Sequence, residues 1–272
     1  MMVNIITNAP ESGLCRQIGG RPLQEKQMTS SHNDGGAAVL SQGMADISDE
    51  VPSNAVELLI DEKVFGLRMV DTPEGRNKAS VLINKMYTWR GYGTHTLSDD
   101  PNRVTLTSTH KGEVVGTLTL GLDSPMGILA DQIFKDEIDA FRARGCKVCE
   151  LTKLAFDPTV QSQALMASLF NLGIMYGRDV HGCSDLFIEV NPRHRRFYQQ
   201  MLGFKQLGEP KSNPRVDAPA CLLWVSFAYM SEQTALWGGK GKEATPGERS
   251  LYPLFFSPRE EIGIINRLRD IN

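Results

Sequence analysis

The stretch Lys147–Pro158, reading KVCELTKLAFDP, constrains the fold of this chain more than any other. It begins after the helix-ending Arg144-Gly145-Cys146 and stops at Asp157-Pro158, a turn signal. Between these limits the alternation predicts a half-buried strand. Glu150, Thr152, Leu154 and Phe156 are expected on one face, and Leu151, Lys153 and Ala155 on the other. A carboxylate near the start of such a strand is costly unless it has a partner or a task. Burial raises its pKa towards the range useful to a general base. Two readings of Glu150 stay open here, a salt bridge at a strand end and a proton acceptor.

The flanking sequence sets strands and helices around this strand. Residues 1–53 are rich in Ser, Gly, Asn, Asp and Gln without sustained periodicity, and are expected to form a flexible extension ahead of a folded domain at 54–272. Lys63–Asp71 predicts a strand, Thr72-Pro73-Glu74-Gly75 a turn, and Lys78–Arg90 a helix. Arg103–Ser108 and Val114–Leu122 predict a hairpin across a short Gly-containing connection. Ala130–Arg144 predicts an amphipathic helix with Ile133, Phe134, Ile138 and Phe141 on its apolar face; its acidic face reads as solvated.

After the Glu150 strand, Gln161–Gly177 predicts a helix and Ser184–Val190 a strand. Asn191-Pro192 then opens a helix that ends at Gly203. A loop with Pro210, Pro214 and Pro219 follows, then a strand at Ala220–Tyr229, a linker at Gly238–Gly247, and a helix at Pro258–Arg269 with Ile262, Ile265 and Leu268 inward. This order of elements predicts an α/β or α+β layer fold.

Composition excludes several classes of function. With 41% hydrophobic and 22% charged residues, the chain is ordinary globular protein. A net charge of −3 does not suggest a nucleic-acid binder. No apolar run reaches the roughly 18 residues of a membrane span, and no signal peptide is evident. Five scattered cysteines fit reduced thiols in a cytoplasm. Cys146-x-x-Cys149 lacks a second ligand pair, so no metal is expected.

Two stretches carry a family resemblance. Phe187-Ile188-Glu189-Val190-Asn191-Pro192, Arg196-Phe197-Tyr198 and Leu202-Gly203-Phe204 resemble the fifth strand and following helix of GNAT-fold N-acyltransferases. Glu150-Leu151-Thr152-Lys153 is similar to the E-L-S-R-type strand of acyl-homoserine-lactone synthases. Taken with Val115-Gly116-Thr117-Leu118 and the acidic helix after Asp131, the order most resembles the bacterial long-chain N-acyl amino acid synthases, over about residues 60–265.

The resemblance implies a GNAT-like mixed, mostly antiparallel sheet with helices on both faces. It implies transfer of a long-chain fatty acyl group from an acyl carrier protein thioester to the α-amine of an amino acid, with no separate cofactor. Alternatives are a GNAT enzyme using acyl-CoA, an acyl-homoserine-lactone-type signal synthase, and a non-enzymatic acyl-carrier or lipid-binding module. One departure bears on the donor. Acetyl-CoA enzymes carry a Gln/Arg-x-x-Gly-x-Gly/Ala turn whose backbone N–H groups hold pyrophosphate. The equivalent Thr159–Leu165 contains no glycine.

On this reading Glu150 is the base and Tyr198 the acid that protonates the departing thiolate. Thr152, Phe156, Trp89, Phe134 and Phe170 are candidate substrate contacts. Phe141, Met166 and Met175 are further candidates for an acyl tunnel, with plain core packing the alternative for each apolar residue. Arg193, Arg195 and Arg196 are candidate carrier-protein contacts, or else a solvated helix face. Arg68 and Arg90 are candidates for the acceptor's carboxylate.

Overall fold

The computed structural model describes residues 38–39, 55–60, 62–88, 94, 96–97, 99–160, 162–241 and 249–269. The strands are β1 (Ala38–Val39), β2 (Ala55–Ile60), β3 (Lys63–Met69), β4 (Arg103–His110), β5 (Glu113–Leu122), β6 (Val148–Phe156), β7 (Asp185–Val190), β8 (Lys205–Asn213) and β9 (Ala218–Ser226). The helices are α1 (Pro73–Tyr87), α2 (Asp131–Arg142), α3 (Gln163–Met175), α4 (Pro192–Leu202), α5 (Phe227–Trp237) and α6 (Pro258–Arg269). The strands form one sheet in the order β1-β2-β3-β4-β5-β6-β7-β9-β8. Every pair is antiparallel except β6–β7. Ala38–Val39 therefore joins the sheet from within the stretch expected to lie outside the domain.

Each face of the sheet carries its own core. On one face α1 and α2 pack Leu82, Ile83, Phe134, Ile138 and Phe141 against Val148, Ala155 and Phe187. On the other, α3, α4 and the C-terminal segment bury Leu165, Leu169, Phe170, Tyr198, Phe255 and Ile264 against Leu151, Leu154 and Ile188. Helix α3 is buried along its length, as befits an apolar helix covered on all sides.

Several boundaries differ from the sequence expectation for identifiable reasons. Thr72-Pro73 is a helix start: the Thr72 side chain accepts from the Gly75 N–H and Pro73 occupies the first turn, so α1 begins before Lys78. The proline-containing loop contains β8. It is an edge strand, and its register with β9 breaks between Leu207 and Lys211, which accommodates Pro210. The predicted strand through Tyr229 stops at Ser226, whose side chain accepts from the Tyr229 N–H and opens α5. In α6, Ile264 is buried and Ile262 is exposed, the reverse of the expected facing for Ile262. The Leu268 side chain lies outside the described residues, as does the chain from 242 to 248 within the expected linker.

The Asn191-Pro192 start and Gly203 stop of α4 are observed. The Asn191 side chain accepts from the Arg193 N–H, and Gly203 adopts the left-handed conformation at φ 76°. A Cβ there would also collide with Tyr229.

Candidate active site

The parallel pair β6–β7 is joined at only three positions, Val148–Asp185, Cys149–Leu186 and Glu150–Phe187. Beyond Glu150 the two strands separate, opening a gap in the middle of the sheet. Pairing of β6 with β5 also slips between Thr117 and Thr119, where Lys153 takes φ 52°. This is a bulge, with one extra residue on β6. It shifts the facing of everything after it. Leu154 joins Leu151 in one core and Ala155 joins Val148 in the other. The strict alternation expected through Phe156 is therefore broken at Lys153, and Glu150 and Thr152 alone keep their shared face.

Glu150 is 1% exposed. Its Oε1 accepts from the Leu129 N–H at 2.7 Å and its Oε2 from the Ala130 N–H at 3.0 Å, both just ahead of α2. Neither the sequence's simple salt bridge nor a free carboxylate describes this arrangement. Burial raises the Glu150 pKa, and the two N–H donors oppose that rise without cancelling it. Gly121, opposite on β5, makes the space: a Cβ there would lie 2.9 Å from Glu150 Cγ and 3.0 Å from Oε1.

The segment that supplies these donors is clamped. The Asp131 Oδ2 accepts from the Ile128 N–H at 2.7 Å, and Arg142 donates to both Asp131 and Asp123. From the other side Arg215 donates to the Leu129 carbonyl at 3.3 Å and to Glu189 Oε2 at 2.6 Å. Glu189 is a second buried carboxylate, on the strand that β6 leaves. Glu150 lines a cavity of about 490 Å³ with Asp100, Asn102, Arg103, Ser124, Leu129 and Gln132 among its walls.

Tyr198, on α4, packs in the core on the α3 side of the sheet against Phe170, Phe197 and Phe204. It is fully buried, and among the described residues its hydroxyl has no hydrogen-bond partner. Burial, and secondarily the nearby Tyr87, hold its pKa well above the ordinary phenol value, so it stays protonated. Tyr87, from α1 on the opposite face, donates to the Leu154 carbonyl at 3.1 Å. Two phenols from opposite layers thus lie close enough to influence one another electrostatically.

The remaining expected residues fall as follows. Thr152 is buried beside Glu150, with Oγ1 3.5 Å from the Thr119 carbonyl. Phe156 is half-buried and packs where a Cβ on Gly116 would stand. Phe134 is buried under Lys211, whose Nζ is 5.0 Å from the ring centroid. Phe170 lies edge-on to Tyr198 with centroids 6.4 Å apart. Phe141, Met166 and Met175 are core residues. Arg193, Arg195 and Arg196 are exposed on the first turns of α4, with Arg195 donating to Gln206. Trp89 and Arg90 lie outside the described residues.

Sequence reasoning missed Arg103, Leu129, Ala130, Arg215 and Tyr87, which take part through position and backbone rather than motif. A glycine inside the strand VVGTLTLGL was the available sign of Gly121's role, because strand glycines mark close approach.

Lys153 is 6% exposed, and among the described residues its ammonium has no hydrogen bond or ion pair. Burial, then repulsion from Arg103, lower its pKa to about 8 from the ordinary 10.5. The unfolded chain therefore binds more protons between these values, and stability rises with pH across that window. At pH 7 the buried charge costs up to about 3 kcal/mol. Lys153→Met is expected to raise the melting temperature at pH 7 and to flatten the rise above pH 8. A lower melting temperature at pH 7 contradicts this account.

The mixed sheet, with its single parallel pair parting beyond Glu150, is a GNAT-like fold. The chain belongs to the family of the N-acyl amino acid synthase FeeM, which it matches over residues 78–226. The structure of FeeM, an N-acyl amino acid synthase from uncultured soil microbes, superposes with a TM-score of 0.57 at 28% identity, covering 62% of this chain and 93% of that one. The AHL synthase LasI gives a TM-score of 0.47 at 11% identity, over 60-odd per cent of this chain (61%) and 91% of its own. No curated protein sequence matches the chain. The protein is thus an N-acyltransferase that makes N-acyl amino acids. Among the described residues no helix is long and apolar enough to cross a membrane.

Proposed function

We propose that the enzyme moves a long-chain fatty acyl group from an acyl carrier protein thioester to the α-amine of an amino acid, with Glu150 as base and Tyr198 as acid. The observation that carries this reading is Glu150 itself, a buried carboxylate of raised pKa at the last paired position of β6 with β7, lining a cavity walled by β4, β5 and the segment ahead of α2. The amine attacks the thioester carbonyl and gives its proton to Glu150, directly or through water. The C–N bond forms as the C–S bond breaks, and the thiolate takes the Tyr198 proton. Backbone N–H groups of β6 beyond Glu150, where β7 no longer pairs, are the natural donors to the oxyanion.

Two features support a carrier-protein donor. The N-terminus of α3 follows a glycine-free sequence, and its Ser162 side chain already accepts from the Leu165 N–H. Because β6 and β7 run parallel, α3 and α4 both begin at the end of the sheet where the gap opens. The exposed Arg193, Arg195 and Arg196 therefore stand at the donor's entrance and suit an acidic partner.

The test compares palmitoyl carrier protein with palmitoyl-CoA as donor. The carrier protein is expected to give the higher kcat/KM. Reversing charge at Arg193 and Arg196 is expected to raise its KM about tenfold at low salt, an effect that fades as salt is added. Equal use of both donors, with no response to charge reversal, would mean a CoA-type donor.

Tyr198→Phe is expected to lower kcat by about tenfold or less, since thiolates leave readily. Full activity at every pH removes the acid role.

A further inference from the structure

Arg103 begins β4 and lies in register with Gly121 of β5, which in turn faces Glu150 of β6. The three form one row across the sheet, and the middle member has no side chain. Nothing in that row separates the Arg103 guanidinium from the Glu150 carboxylate except the cavity both line. Arg103 is held at one edge only: its Nε donates to Asp100 Oδ2 at 3.2 Å. Its two terminal amino groups have no partner among the described residues, although Asn102 and Ser124 share the cavity wall. Its charge already acts on Glu150, where it favours the ionised form. The cavity volume of about 490 Å³ accommodates an amino acid.

The two sequence candidates for this role lie elsewhere. Arg68 lines a separate cavity of about 260 Å³ with Lys78, Thr107 and Thr109. Arg90 lies outside the described residues.

We propose that Arg103 binds the α-carboxylate of the acceptor amino acid, its free guanidinium edge facing the carboxylate while Glu150 faces the amine. The proposal rests on the reading of the Glu150 cavity as the acceptor site. A guanidinium edge matches a carboxylate in two parallel hydrogen bonds, and Asp100 fixes which edge is presented. The site thereby selects α-amino acids over simple amines. It also holds the amine at a set distance from its base.

The test uses the full chain, palmitoyl carrier protein, and each standard amino acid paired with its own primary amide, which keeps the α-amine and loses the carboxylate. The amide's amine is the less basic, so the informative quantity is the change in acid-to-amide ratio between wild type and variant. Wild type is expected to favour the acid. Arg103→Gln is expected to lower kcat/KM for the acid by about 30- to 100-fold, chiefly through KM, and to leave the amide within about threefold. Arg103→Lys is expected to recover part of the loss, and it carries the test if Arg103→Gln melts at a lower temperature.

An acid-to-amide ratio that Arg103→Gln leaves unchanged overturns the proposal, as does an equal fall for both acceptors. Failure of the underlying reading looks different. If Glu150→Gln turns over normally while Arg103→Gln still changes the ratio, the base assignment fails and the carboxylate site stands.

Discussion

Glu150→Gln is expected to lower kcat by about 100- to 10,000-fold while leaving donor binding intact. The fall follows from the proposed role of Glu150 as acceptor of the amine's proton. Structural damage is expected to be small. Gln can still accept one of the two N–H bonds from Leu129 and Ala130; the other is lost, at a cost of about 1 kcal/mol. The pH profile separates the two effects. Burial raises the Glu150 pKa, so activity in the wild type is expected to be lost as pH falls through a value above the ordinary carboxylate range. That acidic limb is expected to disappear from the residual activity of Glu150→Gln. A variant that keeps the wild-type rate would leave Glu150 as a cap for the start of α2 and nothing more.

Arg215→Ala is expected to have the largest effect on stability. Arg215 forms an ion pair with Glu189, whose side chain is 1% exposed. Asn213 still donates to Glu189 in the variant, but the charge loses its guanidinium. Breaking a buried pair on one side costs about 3 kcal/mol. The change also releases the Leu129 carbonyl, and with it the residue whose N–H holds Glu150 Oε1. Weaker donation to the carboxylate raises its pKa further, so the acidic limb of activity is expected to move to higher pH. Denaturant unfolding measures the first effect and a pH–rate profile the second. A stability change below about 0.5 kcal/mol, the range of an ordinary surface substitution, contradicts the structural argument. An unmoved limb contradicts the coupling to Glu150.

The parts of the fold legible in the sequence were those with local signatures. Asn191-Pro192 and Gly203 bracket α4 because capping and left-handed geometry are properties of a few adjacent residues. The hairpin of β4 and β5 was legible for the same reason. Strand β8 was not, because three prolines in fifteen residues or so argue against a strand anywhere but at an edge, and edge position is set by the rest of the sheet. Nor was the bulge at Lys153. Its sequence alternates as a regular strand would, and only pairing with β5 reveals the extra residue.

The same division holds for the site. Glu150 and Tyr198 stood out as candidates by residue type and resemblance; the structure surrounds one with backbone donors and, among the described residues, gives the hydroxyl of the other no partner. The donors at Leu129 and Ala130 have no side-chain signature, because a backbone N–H is available to every residue but proline. Arg103 is separated from Glu150 by 47 positions, the difference between their numbers, and is brought to it solely by strand order. The acyl-tunnel candidates Phe134 and Phe170 are fully enclosed core residues, the commoner fate of apolar side chains at helical spacing.

Mass spectrometry of organic extracts tests the central claim most directly, comparing cells that express the chain with cells that express Glu150→Gln. The account predicts new species whose masses equal an amino acid joined to a fatty acyl group by loss of water, present with the wild type and absent with the variant. Such masses name the acceptor and the chain length together. The same species at the same abundance from both cultures would contradict the assignment of Glu150 as the base.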